Sequence, residues 1–119
     1  MKKFLVVDDE KLIRELIQEL IELSFSIEVD IAEEGNQALE LCKENDYQLI
    51  LTDINMPNGM DGASLVKNLK KDGFKNNICV MSGYSENDHL SIKNDVDLFL
   101  KKPLKTSEMF SKLRNLINE

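Results

Sequence analysis

Four points in this 119-residue chain place chemically capable side chains directly after a short apolar run. Phe4-Leu5-Val6-Val7 stops at Asp8-Asp9-Glu10, and Gln48-Leu49-Ile50-Leu51-Thr52 stops at Asp53. The run from Asn77 to Met81 is followed by Ser82, and that from Val96 to Leu100 leads into Lys102-Pro103. If the first and third runs lie side by side, three carboxylates meet, with a hydroxyl and an ammonium beside them. Carboxylates that close repel one another, and each has its pKa raised if left alone. A divalent cation relieves that repulsion, and a set of oxygen donors suits Mg2+ better than zinc. Lys102 adds a positive charge able to pair with an acidic ligand or with a phosphoryl group carried on a carboxylate. The chemistry indicated is phosphoryl transfer to a carboxylate nucleophile.

Each residue alone has an ordinary explanation. Asp8-Asp9-Glu10 is acceptable as a solvated first helical turn favoured by the helix dipole, and Asp53 as a turn residue ahead of Pro57. Ser82-Gly83 and Lys102-Pro103 are common turn pairs. Their joint placement carries the argument, because all follow different apolar runs of strand length and character, with helical patterns in between. Leu12, Ile13, Leu16, Ile17, Leu20 and Ile21 recur at steps of three and four, predicting a helix from about Lys11 to Leu23. A strand over Ser26 to Ala32 and a helix over Asn36 to Glu44 follow, with Gly35 at the turn between them and Ala38, Leu39, Leu41 and Cys42 on the buried face. A third helix runs from Ala63 to Lys71, capped by Asp61 and closed by Gly73. A fourth, from Ser85 to Asn94, has a capping-box pattern at Ser85 and Asp88 and few apolar residues behind it. The last helix, Thr106 to Ile117, presents Met109, Phe110, Leu113, Leu116 and Ile117 on one face. Strands alternating with helices predict an α/β fold, a doubly wound five-stranded parallel sheet with helices on both faces. Ligands of such sheets bind beyond the carboxyl ends of the strands, where the four points fall.

Composition narrows the function. Fifteen basic against twenty-two acidic residues leave a formal charge of -7, which opposes direct binding of nucleic acid or anionic lipid. Lys67, Lys70, Lys71 and Lys75 read as a solvated helix face. No apolar run approaches the roughly 20 residues of a membrane span, and Met1-Lys2-Lys3-Phe4 leads into acidic residues instead of a signal-peptide core, so a cytoplasmic location is expected. Cys42 and Cys79 sit in apolar company without metal-ligand spacing and read as core thiols of a reduced compartment. With neither linker nor repeat, residues 1–119 read as one domain.

These residues are recognisable together. The chain resembles, over essentially its whole length, the receiver domain of bacterial two-component response regulators. Phe4-Leu5-Val6-Val7-Asp8-Asp9-Glu10 looks like that family's opening strand and acidic pair. Leu49-Ile50-Leu51-Thr52-Asp53-Ile54-Asn55-Met56-Pro57 looks like its phosphoacceptor strand and loop. Met60-Asp61-Gly62, Val80-Met81-Ser82-Gly83 and Phe99-Leu100-Lys101-Lys102-Pro103 look like its remaining signatures, in the right order. The resemblance implies a flavodoxin-like sheet of order 2-1-3-4-5. It implies that Asp53 is phosphorylated by a sensor histidine kinase or a histidine phosphotransfer protein, and that a downstream protein target reads the result. By the same resemblance Asp9 and Asp53 bind Mg2+ directly with the backbone carbonyl of Asn55, and Asp8 acts through a bound water. Ser82 hydrogen-bonds the phosphoryl oxygens, Lys102 pairs with them ahead of a cis bond to Pro103, and Phe99 is the aromatic switch. No enzymatic turnover is implied beyond Mg2+-dependent phosphoryl acceptance and autodephosphorylation.

Two departures from the family pattern bear on switching. Asn58-Gly59 makes the loop after Asp53 one residue longer than usual, and the stretch between Ser82 and Lys102 is about two residues short. Alternative readings are a receiver excised from a larger regulator or hybrid kinase, an aspartyl-nucleophile phosphatase, and a flavin-binding module. The phosphatase needs a second Asp two residues after the nucleophile, where this chain has Asn55. The flavin module lacks its phosphate loop here. Tyr84 is a candidate partner contact flanking the site, and His89, in a polar stretch, reads as an exposed surface histidine.

Overall fold

In the computed structural model, which describes residues 3–56, 59–83 and 89–117, five strands form one parallel sheet. β1 (Lys3–Val7), β2 (Glu28–Ala32), β3 (Leu49–Asp53), β4 (Asn77–Ser82) and β5 (Leu98–Lys101) lie in the order β2-β1-β3-β4-β5. Among the described residues four α-helices accompany them: α1 (Lys11–Phe25), α2 (Gly35–Glu44), α3 (Gly62–Lys71) and α4 (Thr106–Ile117).

The continuous apolar runs exist because both faces of the sheet are covered, and alternate residues serve opposite faces. Leu5, Val7, Ile50, Ile78 and Val80 pack with Ala38 of α2 and with Leu65, Val66 and Leu69 of α3. Phe4, Val6, Leu49, Leu51, Cys79 and Met81 pack with Ile17 and Ile21 of α1 and with Met109 and Leu113 of α4. Cys79 is fully buried in that layer and Cys42 half-buried against the other, both as free thiols.

Local signals set several element ends. The Asp61 carboxylate accepts from the Ser64 amide at 2.9 Å and caps α3 as expected. Gly73, at φ 89°, ends that helix: its N–H donates to Lys70 and the Phe74 N–H to Leu69, the paired bonds of a Schellman turn. Gly35 lies inside the first turn of α2 and not in the turn before it, because the Glu34 side chain accepts from the Asn36 and Gln37 amides and so caps one residue earlier.

Other expectations change as well: β2 begins at Glu28, not Ser26, because Ser26 takes the left-handed conformation that ends α1. The apolar stripe of α1 is wider than the sheet can cover, so Ile17 and Ile21 are buried while Leu12 and Leu16 are exposed, and Arg14 is buried instead. β5 begins at Leu98, not Val96, because the Asp97 carboxylate takes the Ile78 amide at 2.8 Å at the strand entrance. No α-helix occupies 89–94: His89 is in 3-10 conformation, Leu90 to Ile92 form turns, and Lys93–Asp95 is a 3-10 helix, with Ile92 alone in that stretch fully buried. A short segment with one core anchor gains too little from burial to hold α-helical turns. The capping box at Ser85 and Asp88, and Tyr84, lie outside the described residues.

Candidate functional site

The parallel register brings the ends of β1, β3 and β4 to one rim. Val7 pairs with Thr52, and Asp53 with Met81, so Asp8, Asp53 and Ser82 follow one another across adjacent strands. Asp53 is 4% exposed at the end of β3, where its strand is locked by Ile54 N–H donating to Met81 at 3.0 Å and by the Gly62 N–H donating to Ile54 at 3.0 Å. Gly62 is required there, since a Cβ would sit 2.3 Å from the Asp53 carbonyl oxygen.

Both oxygens of Asp53 are engaged. The Asn55 amide donates to Oδ1 at 3.3 Å, and Lys102 Nζ lies 3.2 Å from Oδ2. The same ammonium is 4.0 Å from Oδ2 of Asp8. The Lys102 amide donates to the Ser82 carbonyl at 2.8 Å, and the Lys102–Pro103 peptide is cis, as the resemblance implied. Asp8 is fully buried. Its Oδ1 accepts from the Glu10 amide at 2.9 Å, whereas Oδ2 has no hydrogen-bond partner. Burial, followed by the charges of Asp53 and Asp9, pushes its carboxyl up to about 6 against the pull of the Glu10 amide and Lys102.

A buried carboxylate oxygen without a hydrogen bond, beside other carboxylates, is what a hard cation completes. The side-chain oxygens of Asp8, Asp9 and Glu10 lie within 4.8 Å of one another. Glu10 was not among the expected ligands, while Asp53 faces Asp8 across Lys102. The residues fit Mg2+: oxygen donors only, an excess of negative charge and a half-buried position.

The sequence analysis missed the part that two side chains play. Arg14, 6% exposed, donates from Nη1 to the Asp8 carbonyl at 2.9 Å and lies 3.6 Å from Glu33, fastening the acidic loop from behind. Its helical position within an apolar stripe was the signal. His89 is the other, and the expectation that it is an exposed surface residue is corrected. It is half-buried, with Nε2 2.8 Å from Ser82 Oγ and its ring stacked on Phe99. Nothing in its polar surroundings points to that, since the contact depends on how the short connection returns to the sheet. Phe99 itself is half-buried and packs against the cluster containing Val80 and Ile92.

Comparison with known proteins agrees with this fold. Residues 4–114 match the response regulator receiver domain family. The chain belongs to that family and is a phosphoacceptor signalling module of two-component signal transduction. It is 30% identical to the chemotaxis protein CheY of Halobacterium salinarum, over 98% of this chain and 97% of that one. It is also 30% identical to the nitrate/nitrite response regulator NarL of Escherichia coli, over 92% of this chain and 51% of that protein. Among solved structures, response regulator TrrA of Thermotoga maritima, in complex with Mg2+ and BeF, superposes with TM-score 0.86 at 32% identity, covering 98% of this chain and 99% of that one. No helix among the described residues is long and apolar enough to cross a membrane.

Proposed function

We propose that Asp53 is the phosphoacceptor of a receiver domain spanning residues 1–119, that Asp8, Asp9 and Asp53 hold Mg2+ with the Asn55 carbonyl, and that Ser82 and Lys102 complete the site. The observation that carries this reading is Lys102 Nζ 3.2 Å from the buried Asp53 carboxylate and 4.0 Å from Asp8. An Asp53 oxygen attacks the phosphorus of a phosphohistidine on the partner kinase or phosphotransfer protein. The phosphorus–nitrogen bond breaks, the imidazole leaves, and an acyl phosphate remains on Asp53. When bound, Mg2+ neutralises charge on the transferring group and orients it. Lys102 keeps its ammonium beside Asp53 and pairs with the phosphoryl oxygens, while the Ser82 hydroxyl donates to one of them. The Asn55 amide holds the nucleophile in place, and Arg14 and the Glu10 amide hold Asp8. The chain acts in the cytoplasm and serves a downstream protein target, with no turnover beyond loss of its own phosphoryl group. The resemblance to TrrA, solved in complex with Mg2+ and BeF, supports the cation.

Incubation with a small acyl phosphate and Mg2+, followed by intact-mass measurement, tests the reading. The native chain gains one phosphoryl mass, and neither Asp53→Asn nor the native chain with excess chelator gains any. Equal gain by the native chain and Asp53→Asn contradicts it.

A further inference from the structure

We propose that His89 is a positioning residue that couples the Ser82 hydroxyl to the Phe99 ring, so that in this chain a change at the phosphoryl site reaches β5 through an imidazole. The inference rests on the phosphoacceptor reading above and adds a residue to it. Among the contacts of His89, three bear on the coupling. Its Nε2 lies 2.8 Å from Ser82 Oγ, its carbonyl accepts from the Ile92 amide at 3.2 Å, and its ring lies parallel to Phe99, within 3°, at a centroid separation of 6.4 Å. Ile92 is fully buried, so the backbone of His89 is anchored to the core while its ring reaches back to the sheet end.

A hydroxyl has one proton and two lone pairs. When Ser82 donates that proton to a phosphoryl oxygen on Asp53, its bond to Nε2 either breaks or persists with the imidazole as donor. Either change alters the ring that lies against Phe99, and an aromatic pair in contact responds to displacement of either partner. Phe99 pairs with Val80 across β4 and β5 and is half-buried, so a shift of its ring alters the surface of β5. One side chain thus touches both residues by which the site is expected to report its state.

The test uses the full chain with Mg2+ and beryllofluoride, an analogue of the phosphoryl group. Fluorine NMR reads occupancy of Asp53, and carbon-labelled phenylalanine and histidine rings read Phe99 and His89. In the native chain both rings shift at full occupancy. In His89→Leu, which fills space without a hydrogen bond, occupancy is retained and the Phe99 shift is lost; in His89→Gln, whose amide can meet the hydroxyl, part of it returns. A full Phe99 shift in His89→Leu at full occupancy overturns the coupling, as do unmoved His89 resonances in the native chain. Absence of any bound fluorine signal overturns the phosphoacceptor reading itself, and the coupling with it.

Discussion

Asp8 is where the acidic rim costs most, because its carboxylate is fully buried with one oxygen lacking a hydrogen bond. Its folded pKa of about 6 lies above the ordinary 3.8, so the ionised form is disfavoured by the fold. In the metal-free protein this group favours the folded state below pH 3.8, and that contribution fades as pH rises through 6, a change on the order of 3 kcal/mol. A cation competes with the proton for that site. Mg2+ is therefore expected to raise the melting temperature clearly at pH 7.5 and much less at pH 5, and Asp9→Asn is expected to shrink the gain at both. Thermal melts with Mg2+ or chelator check this, and equal stabilisation at the two pH values contradicts it. The acidic residues and Lys102 were legible in the sequence because each ends an apolar run. Arg14 and His89 were not, since a buried guanidinium and a histidine returning to the sheet depend on contacts distant in the chain.

At the scale of elements, the site depends on how closely α3 approaches the end of β3. Gly62 has no room for a side chain, with the Asp53 carbonyl and the Ile54 Cα at 2.3 and 2.7 Å from a would-be Cβ. Both neighbours are backbone, so Gly62→Ala must push helix and strand apart. The expected loss is about 1–3 kcal/mol, as for other overpacked positions, with slower phosphoryl uptake at Asp53; urea unfolding and the intact-mass time course measure the two. The lengthened loop after Asp53 is fastened separately. Met60 N–H donates to Glu34 at 3.2 Å, Gly35 N–H donates to the Met60 carbonyl at 3.1 Å, and Gly59, at φ 122°, leaves space that Glu34 fills. Gly59→Ala meets both a strained backbone and the Glu34 carboxylate, and a loss of about 1–3 kcal/mol is expected in the same unfolding experiment. The five strands and the four α-helices were legible because periodicity marks elements that bury a full face. The stretch before β5 was not, because its hydrophobic pattern is as weak as its packing: Leu90 is largely exposed and Ile92 carries the burial alone.

Across the molecule, the expected switch joins the rim to the face built by the 3-10 stretch before β5, by β5 and by α4. A phosphoryl group on Asp53 adds charge and acceptor oxygens beside Lys102, whose amide is tied to the end of β4 through the Ser82 carbonyl, so moving one strand end moves the other. The 3-10 segment has few buried contacts and should yield first. Amide exchange with beryllofluoride is expected to change in 89–100 and in α4, less in Ser82→Ala and least in Lys102→Ala; no change in the native chain with the analogue bound contradicts this route. All of it depends on which side chain receives the group. The most direct measurement treats the phosphorylated chain with borohydride, which reduces an aspartyl phosphate to homoserine, and locates the product by peptide sequencing. The account predicts homoserine at position 53 alone; homoserine at position 8 or 9 with Asp53 intact would contradict it.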